Sequence, residues 1–329
     1  MSSFPRPDTV LVTGASGFVG RYVVRELIAR GYGVVALVRD PVRMRRAVPD
    51  VMPSQMTLVQ GDLHDADALR RAAGLSRATI HLVGIIFDRI LRKQTFQRIH
   101  VEGTRHTLNA AVNAGHARFL FMSALGARAD AISEYHRTKW QAEEMVRNSG
   151  VAWTIFRPSI IHGPDGEFMR LMKTFVTFRP VWHFGVIPQF VPVIPYFGSG
   201  ENRVQPVSVK DVAHCFVASI DKPETYRRVY ELGGPQTFTW KELYAACREL
   251  IPGACRFKPM LGQPVPLARL LARTLMRTPL LPLSLRFNVG QVQMSQEDSV
   301  CDIRPVEEAF GIRLRDFRFE LSQYADLIR

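Results

Sequence analysis

"TGASGFVG", Thr13–Gly20, joins the apolar run "TVLVT" (Thr9–Thr13) to "RYVVRELIARGY" (Arg21–Tyr32). The first run is β-branched and short enough for a buried strand. In the second, Val19, Val23, Val24, Leu27 and Ile28 recur three and four apart, the inward stripe of an amphipathic helix that Gly31 stops. Gly14, Gly17 and Gly20 thus fall at a strand-to-helix junction, where each has its own use. Gly14 permits a tight turn out of the strand, Gly17 removes a side chain where backbone must approach a pyrophosphate, and Gly20 lets the helix lie close to the sheet. The unpaired N–H groups of the first helical turn then face the negative charge. Three glycines alone are a weak signal, and a purely structural turn is the alternative; the strand before and the helix after are the confirming context. Thr13, Gly14, Ser16, Gly17, Phe18, Val19 and Gly20 are therefore the expected nucleotide-binding loop.

Outward from this loop, "GVVALV", "MTLVQ", "ATIHLV", "RFLFMS" and "AWTIF" alternate with helical periodicity. That rhythm predicts βαβ units and an α/β fold: a Rossmann-type doubly wound parallel sheet with a smaller C-terminal substrate or partner domain. Residues 1–160 form the expected nucleotide-binding domain, with 203–232 returning to it. Residues 161–202 and 233–329 form the smaller region, because Pro and aromatic residues crowd the stretch after Pro158 and regular periodicity fails. "TFTWKELYAACREL" reads as a helix capped by Thr239 with Glu242 three residues on.

The chain carries 43 Lys plus Arg against 30 Asp plus Glu, a formal charge of +13. Such a surface draws anionic partners. Without basic stretches interleaved with aromatics, nucleic acid is not an expected partner. Cys215, Cys247, Cys255 and Cys301 show neither CxxC pairing nor zinc-ligand spacing with the histidines, so disulfides and metal are not expected and a reduced, cytoplasmic location is. No uncharged run has the ~18 residues of a membrane span, and a cleavable targeting segment is not expected.

At the end of the second strand an acidic residue would hold the ribose hydroxyls of NAD, and an arginine would receive the 2′-phosphate of NADP. "VRDPVRMRR" offers Arg39, Asp40 and Arg43, followed by Arg45 and Arg46. Arg39 comes first off the strand, which favours NADP over NAD. The later arginines also fit a solvated helix face.

"TGASGFVG", "GDLHD", "HVEGTRHTLNAAVNAGHARFLFMSALGA" and "EYHRTKWQAEEMVRNSGVAWTIFRPSIIHGP" occur in that order. Together they resemble the extended and atypical short-chain dehydrogenase/reductases, and most of all the branch containing the accessory 39-kDa subunit of respiratory complex I. The resemblance implies that Asp62 and Leu63 flank an adenine, that Val83 and Gly84 line the cofactor at the fourth strand, and that Ser123 closes the fifth. It implies that Tyr135 and Lys139 form the family's YxxxK pair and that Pro158 and Ser159 sit beside the nicotinamide.

Tyr135 and Lys139, four apart, share a helix face. A nearby ammonium favours the phenolate of a tyrosine, whose ordinary pKa is about 10, and would let Tyr135 exchange a proton with a substrate oxygen. Lys139 would also hold ribose hydroxyls. Three departures favour cofactor binding over turnover. Leu125 stands where active extended members carry a Ser or Thr, the Ser123–Tyr135 stretch is shorter than in those enzymes, and Ile160 replaces a substrate-contacting asparagine; Ser133 is the one nearby hydroxyl that could substitute.

Finally, "PLARLLARTLMRTPLLPLSLRF" sets Arg269, Arg273 and Arg277 four apart, with Leu267, Leu270, Leu271, Leu275 and Met276 around much of the remainder. A basic amphipathic helix of this kind can lie on an anionic membrane surface, or pack its leucines on a core. The Phe- and Pro-rich insertion at 175–197 adds apolar surface or walls a pocket for an apolar small molecule such as a quinone. Three functions are expected to compete: a cofactor-bound accessory or assembly protein on a respiratory membrane complex, at the inner face of the cell membrane; an NAD(P)H-dependent reductase of a quinone, isoprenoid or other apolar carbonyl, with epimerase or dehydratase chemistry less favoured; and a redox sensor.

Overall fold

A computed structural model describes residues 8–88, 94–178, 192–274 and 286–328, with the backbone of 181–183 and 187–189. The chain divides into two compact units, one of residues 1–158, 209–232 and 304–312 and the other of 159–208, 233–303 and 313–329.

The first unit is built on β1 (Thr9–Thr13), β2 (Gly33–Val38), β3 (Met56–Gln60), β4 (Ala78–His81), β5 (Arg118–Met122) and β6 (Ala152–Pro158), all six anticipated from the apolar runs. A seventh strand, Arg228–Leu232, pairs with β6, and the order from that edge is seventh–β6–β5–β4–β1–β2–β3, parallel throughout. Val10, Leu11 and Val12 are fully buried, as a strand covered on both faces requires, each worth roughly 1.5–3 kcal/mol. The order reverses between β1 and β4, the place where such sheets bind ligands at their carboxyl ends.

Between the strands run α1 (Phe18–Ala29), α2 (Pro41–Ala47), α3 (Ala66–Gly74), α4 (Gly103–Asn113) and α5 (Glu134–Arg147). In α1 the buried positions are Val19, Gly20, Val23, Val24 and Leu27, and Gly31 follows with φ +86°. The segment returning to this unit begins at Val209 rather than 203: Arg203–Val204 and Val207–Ser208 pair with Phe238–Thr239 and Ile161–His162 of the other unit. Arg304–Ile312, expected in the smaller region, also returns, because Phe310 packs its ring against Tyr230 and Phe156.

The second unit has its own core, in which Met169, Met172 and Val176 meet Leu243, Phe317 and Leu321. Thr239 and Glu242 form the expected reciprocal cap of the Trp240–Leu250 helix. Ile194–Phe197 pairs in parallel with Met260–Gln263. Residues 179–180, 184–186 and 190–191 of the apolar insertion lie outside the described residues, as does 275–285, with Leu275, Met276 and Arg277 of the basic stretch. Among the described residues no helix is long and apolar enough to cross a membrane.

Candidate functional site

Gly14 leaves β1 with φ +79°, a conformation side-chain-bearing residues rarely adopt, and its carbonyl accepts from Gly17 N–H at 2.9 Å. Gly17 is the N-cap of α1 and has no side chain with which to satisfy the helix start, so the amides of the first turn stay open to an anion. A Cβ at Gly20 would stand 2.1 Å from the Gly14 oxygen and 2.7 Å from that of Ala15, so only glycine lets the helix reach this loop. A Cβ at Gly14 would meet the backbone of Leu82 and Val83 at 3.3 Å, which puts the loop against the end of β4 at the reversal point. Ser16 and Phe18 are partly exposed beside Gly17, whereas Val19 faces the core. The Thr13 side chain is fully buried and its hydroxyl meets His81 Nδ1 at 2.6 Å, which commits it to the sheet.

At the end of β2, Arg39 and Asp40 are both exposed. Asp40 caps α2, its carboxylate accepting from Arg43 N–H at 3.0 Å. The Arg39 guanidinium makes no hydrogen bond or ion pair to a described residue and lines an open cleft of about 690 Å³ with Gln60, Gly61, Asp62, His64 and Asp65. The Asp62 carboxylate accepts from His64 N–H at 2.7 Å. Leu63 turns its side chain into the core and offers its carbonyl to His106 Nδ1–H at 2.9 Å.

Beyond β4, Val83 is partly exposed and Gly84 exposed. Lys139 comes up beneath Gly84 from α5, buried, and donates to the Met122 carbonyl at 2.9 Å. Burial pulls its pKa down to about 8. Tyr135 is packed among the rings of Phe96, His100 and His136. Desolvation pushes its hydroxyl up to about 12, so the expected lowering by Lys139 is not realised: the ammonium is committed to the end of β5 rather than to the phenol. The Tyr135 hydroxyl forms no hydrogen bond to a described residue. Ser123 is buried at the end of β5 with its Oγ unpartnered.

Leu125 is buried, its N–H donating to the Pro158 carbonyl at 2.9 Å. Ser133 caps α5, its Oγ accepting from His136 N–H at 3.2 Å, and is buried there. Ser159 belongs to the second unit, bonded to the Ser299 carbonyl at 3.0 Å and hydroxyl at 2.9 Å; Pro158 ends β6 in the first.

His100 had no expected role. It stands in a π-helical turn, Gln97–Glu102, leading into α4. Ile85 N–H donates to its Nε2 at 3.0 Å, so the ring proton resides on Nδ1 and goes to Thr138 Oγ1 at 2.9 Å. Desolvation, helped by the Lys139 charge, holds its pKa well below the ordinary value. Its sequence signal was a histidine between Ile99 and Val101 just ahead of Gly103.

A doubly wound parallel sheet with a glycine cradle at its reversal point and a Tyr–Lys pair on the following face defines a dinucleotide-binding protein of the short-chain dehydrogenase/reductase type. The chain matches the NAD dependent epimerase/dehydratase family over residues 10–233 and belongs to it. It is 30% identical over 299 residues to NADH dehydrogenase [ubiquinone] 1 alpha subcomplex subunit 9, mitochondrial, of Arabidopsis thaliana, spanning 88% of this chain and 70% of that protein. It is 35% identical over 216 residues to a ceramide reductase of Caulobacter vibrioides, spanning 65% of this chain and 61% of the relative. An NADPH-dependent quinone oxidoreductase of Escherichia coli, complexed with NADPH, shares the fold with a TM-score of 0.68 at 19% identity, over 96% of this chain and 98% of the other.

Proposed function

We propose that this chain is a dinucleotide-holding accessory or assembly protein of a respiratory membrane complex, peripheral to the inner face of the cell membrane, with NADP(H) preferred over NAD(H). The observation that carries this is a contrast within one unit: an intact cradle at Gly14, Gly17 and Gly20 beside a Tyr135 whose hydroxyl is held neutral. The loop residues would receive the diphosphate, Arg39 a 2′-phosphate, Asp62 and the Leu63 backbone the adenosine, and Val83, Gly84 and Pro158 the nicotinamide half. Lys139 would turn to the ribose hydroxyls. A bound nicotinamide nucleotide supplies a hydride carrier; Leu125 and the Lys139–Met122 bond leave Tyr135 poorly placed to move a proton for it. The Arabidopsis relative, named as a subunit of an NADH dehydrogenase, supports the respiratory partner. The test is to follow NADPH absorbance in purified protein across a panel of quinones and carbonyls. Bound NADPH stays reduced on this account, and rapid oxidation abolished by Tyr135→Phe overturns it.

A second function is favoured by one observation: the Ser123 and Tyr135 hydroxyls are both unspent on described residues. These would receive the oxygen of an apolar carbonyl, and a relative named as a ceramide reductase is consistent with that class. Substrate-dependent NADPH oxidation lost in both Ser123→Ala and Tyr135→Phe supports it.

A further inference from the structure

The Val265–Arg273 helix packs with its small residues inward. Ala268 and Ala272 are buried, while Leu267 and Leu270 are 47% and 57% exposed, with Pro266 and Arg273 exposed alongside. A helix that served only its own core would bury the leucines and expose the alanines. The same segment shows Leu261 at 54% and Phe257 at 94% exposure, with Arg256 exposed beside it. Half-exposed Phe178 joins this corner: Lys258 donates to the Thr177 carbonyl at 2.7 Å and lies 4.9 Å from the Phe178 ring centroid.

Charge is segregated in the same direction. Neither 168–200 nor 250–296 contains an Asp or Glu, yet they carry Arg170, Lys173, Arg179, Arg256, Lys258, Arg269, Arg273, Arg277 and Arg286, nine of the cations behind a net +13. The two acid-free stretches are brought together by the pairing of Ile194–Phe197 with Met260–Gln263 and by the Thr177–Ala254 bridge. Lys173 and Lys258 are buried on carbonyls, whereas Arg170, Arg256 and Arg273 are exposed.

We infer, building on the peripheral membrane location proposed above, that this surface of the second unit seats on an anionic lipid bilayer, with Phe257, Leu261, Leu267 and Leu270 entering the headgroup layer and Arg256 and Arg273 meeting lipid phosphates. Apolar side chains interleaved with arginine and free of acids are the composition that anionic headgroups complement. A second copy is a poorer occupant, because an isologous contact would set the arginines of one such surface against those of another.

The test is co-sedimentation of the full chain with vesicles of phosphatidylcholine, with and without about 30% phosphatidylglycerol. Binding to the anionic vesicles is expected about ten-fold above the neutral ones, and to be lost in about 0.5 M salt. Arg273→Glu and the pair Leu267→Ser with Leu270→Ser should each reduce it several-fold; these side chains are exposed, so an unchanged melting curve shows that folding is intact. Equal binding to both vesicles, no binding, or variants that bind like the parent overturn the inference. So does a parent that self-associates and becomes monomeric on Leu270→Ser, or one that binds only an acidic protein. NADPH titration of the same samples separates the two proposals: vesicle binding lost with NADPH binding kept removes only this surface, and the converse removes only the nucleotide role.

Discussion

The Lys139 ammonium lies directly against Gly84: a Cβ on residue 84 would stand 2.9 Å from Nζ and 3.6 Å from His100 Nε2. With Nζ also donating to the Met122 carbonyl at 2.9 Å, the end of β4, the end of β5 and the middle of α5 are tied through one buried cation. The pair YxxxK is therefore arranged around the lysine's structural bond as much as around the tyrosine.

Gly84→Ala should displace the lysine head and weaken that bond. A loss of about 1–2 kcal/mol in unfolding free energy is expected, the cost of a disturbed buried hydrogen bond to a charge. Urea titration of the two proteins checks it, and Gly84→Ala should also weaken nucleotide binding.

Lys139→Met should change how stability depends on pH. The lysine's folded pKa of about 8 lies below its unfolded value, so between the two the unfolded chain binds more protons and this group's contribution makes stability rise with pH. Below about 8 the buried charge costs on the order of 3 kcal/mol relative to its contribution above the unfolded pKa. Because cysteines and tyrosines titrate in the same range, the difference between parent and variant is what is measured. It should grow in the parent's favour from pH 8 upward.

Acid should loosen the first unit before carboxylates protonate. His81, buried between the hydroxyls of Thr13 and Thr104, has its pKa pulled down to about 3 by burial and the Lys139 charge. Its folded pKa lies below its unfolded one, so the stabilising contribution is complete above about 6.5 and is lost as pH falls toward 3. Each such histidine gives a slope of about 1.4 kcal/mol per pH unit. His100 acts in the same direction. Unfolding measured from pH 7 to 4 should show a slope that His81→Asn reduces.

Arg39→Ala should lower NADPH affinity by about ten- to a hundred-fold and leave NADH nearly unchanged, since a guanidinium–phosphate contact is the difference between the two ligands. Asp40→Ala should instead cost about 1 kcal/mol of stability through loss of the α2 cap. Calorimetric titration with both nucleotides distinguishes these roles.

Much of this was legible in the chain. Most of the six strands announce themselves because a parallel sheet buried on both faces demands apolar runs, and the Gly14–Gly17–Gly20 spacing marks the reversal point by steric need. Arg228–Leu232 was less visible because Arg228 and Glu231 break its apolar run. Four-residue spacing placed Tyr135 and Lys139 on one face but could not say which acceptor the ammonium would choose; Met122 is seventeen residues away in sequence. His100 was hidden for the same reason, its partners Ile85 and Thr138 being fifteen and thirty-eight residues distant. Periodicity found the stripes of the Val265–Arg273 helix without revealing that alanine, not leucine, turns inward.

Gly17→Asp offers the most direct measurement. Aspartate is a favoured N-cap and Gly17 already has an extended backbone at φ −76° and ψ 175°, which offsets the tight 3.1 Å approach of the new Cβ to the Gly14 oxygen, so the substituted chain should still fold. It would nevertheless bring a negative charge to the helix start where a diphosphate would lie. Calorimetric titration should therefore show NADPH affinity reduced by about a hundred-fold or more in a protein that still folds. Unchanged affinity in a folded Gly17→Asp protein would contradict the account at its base.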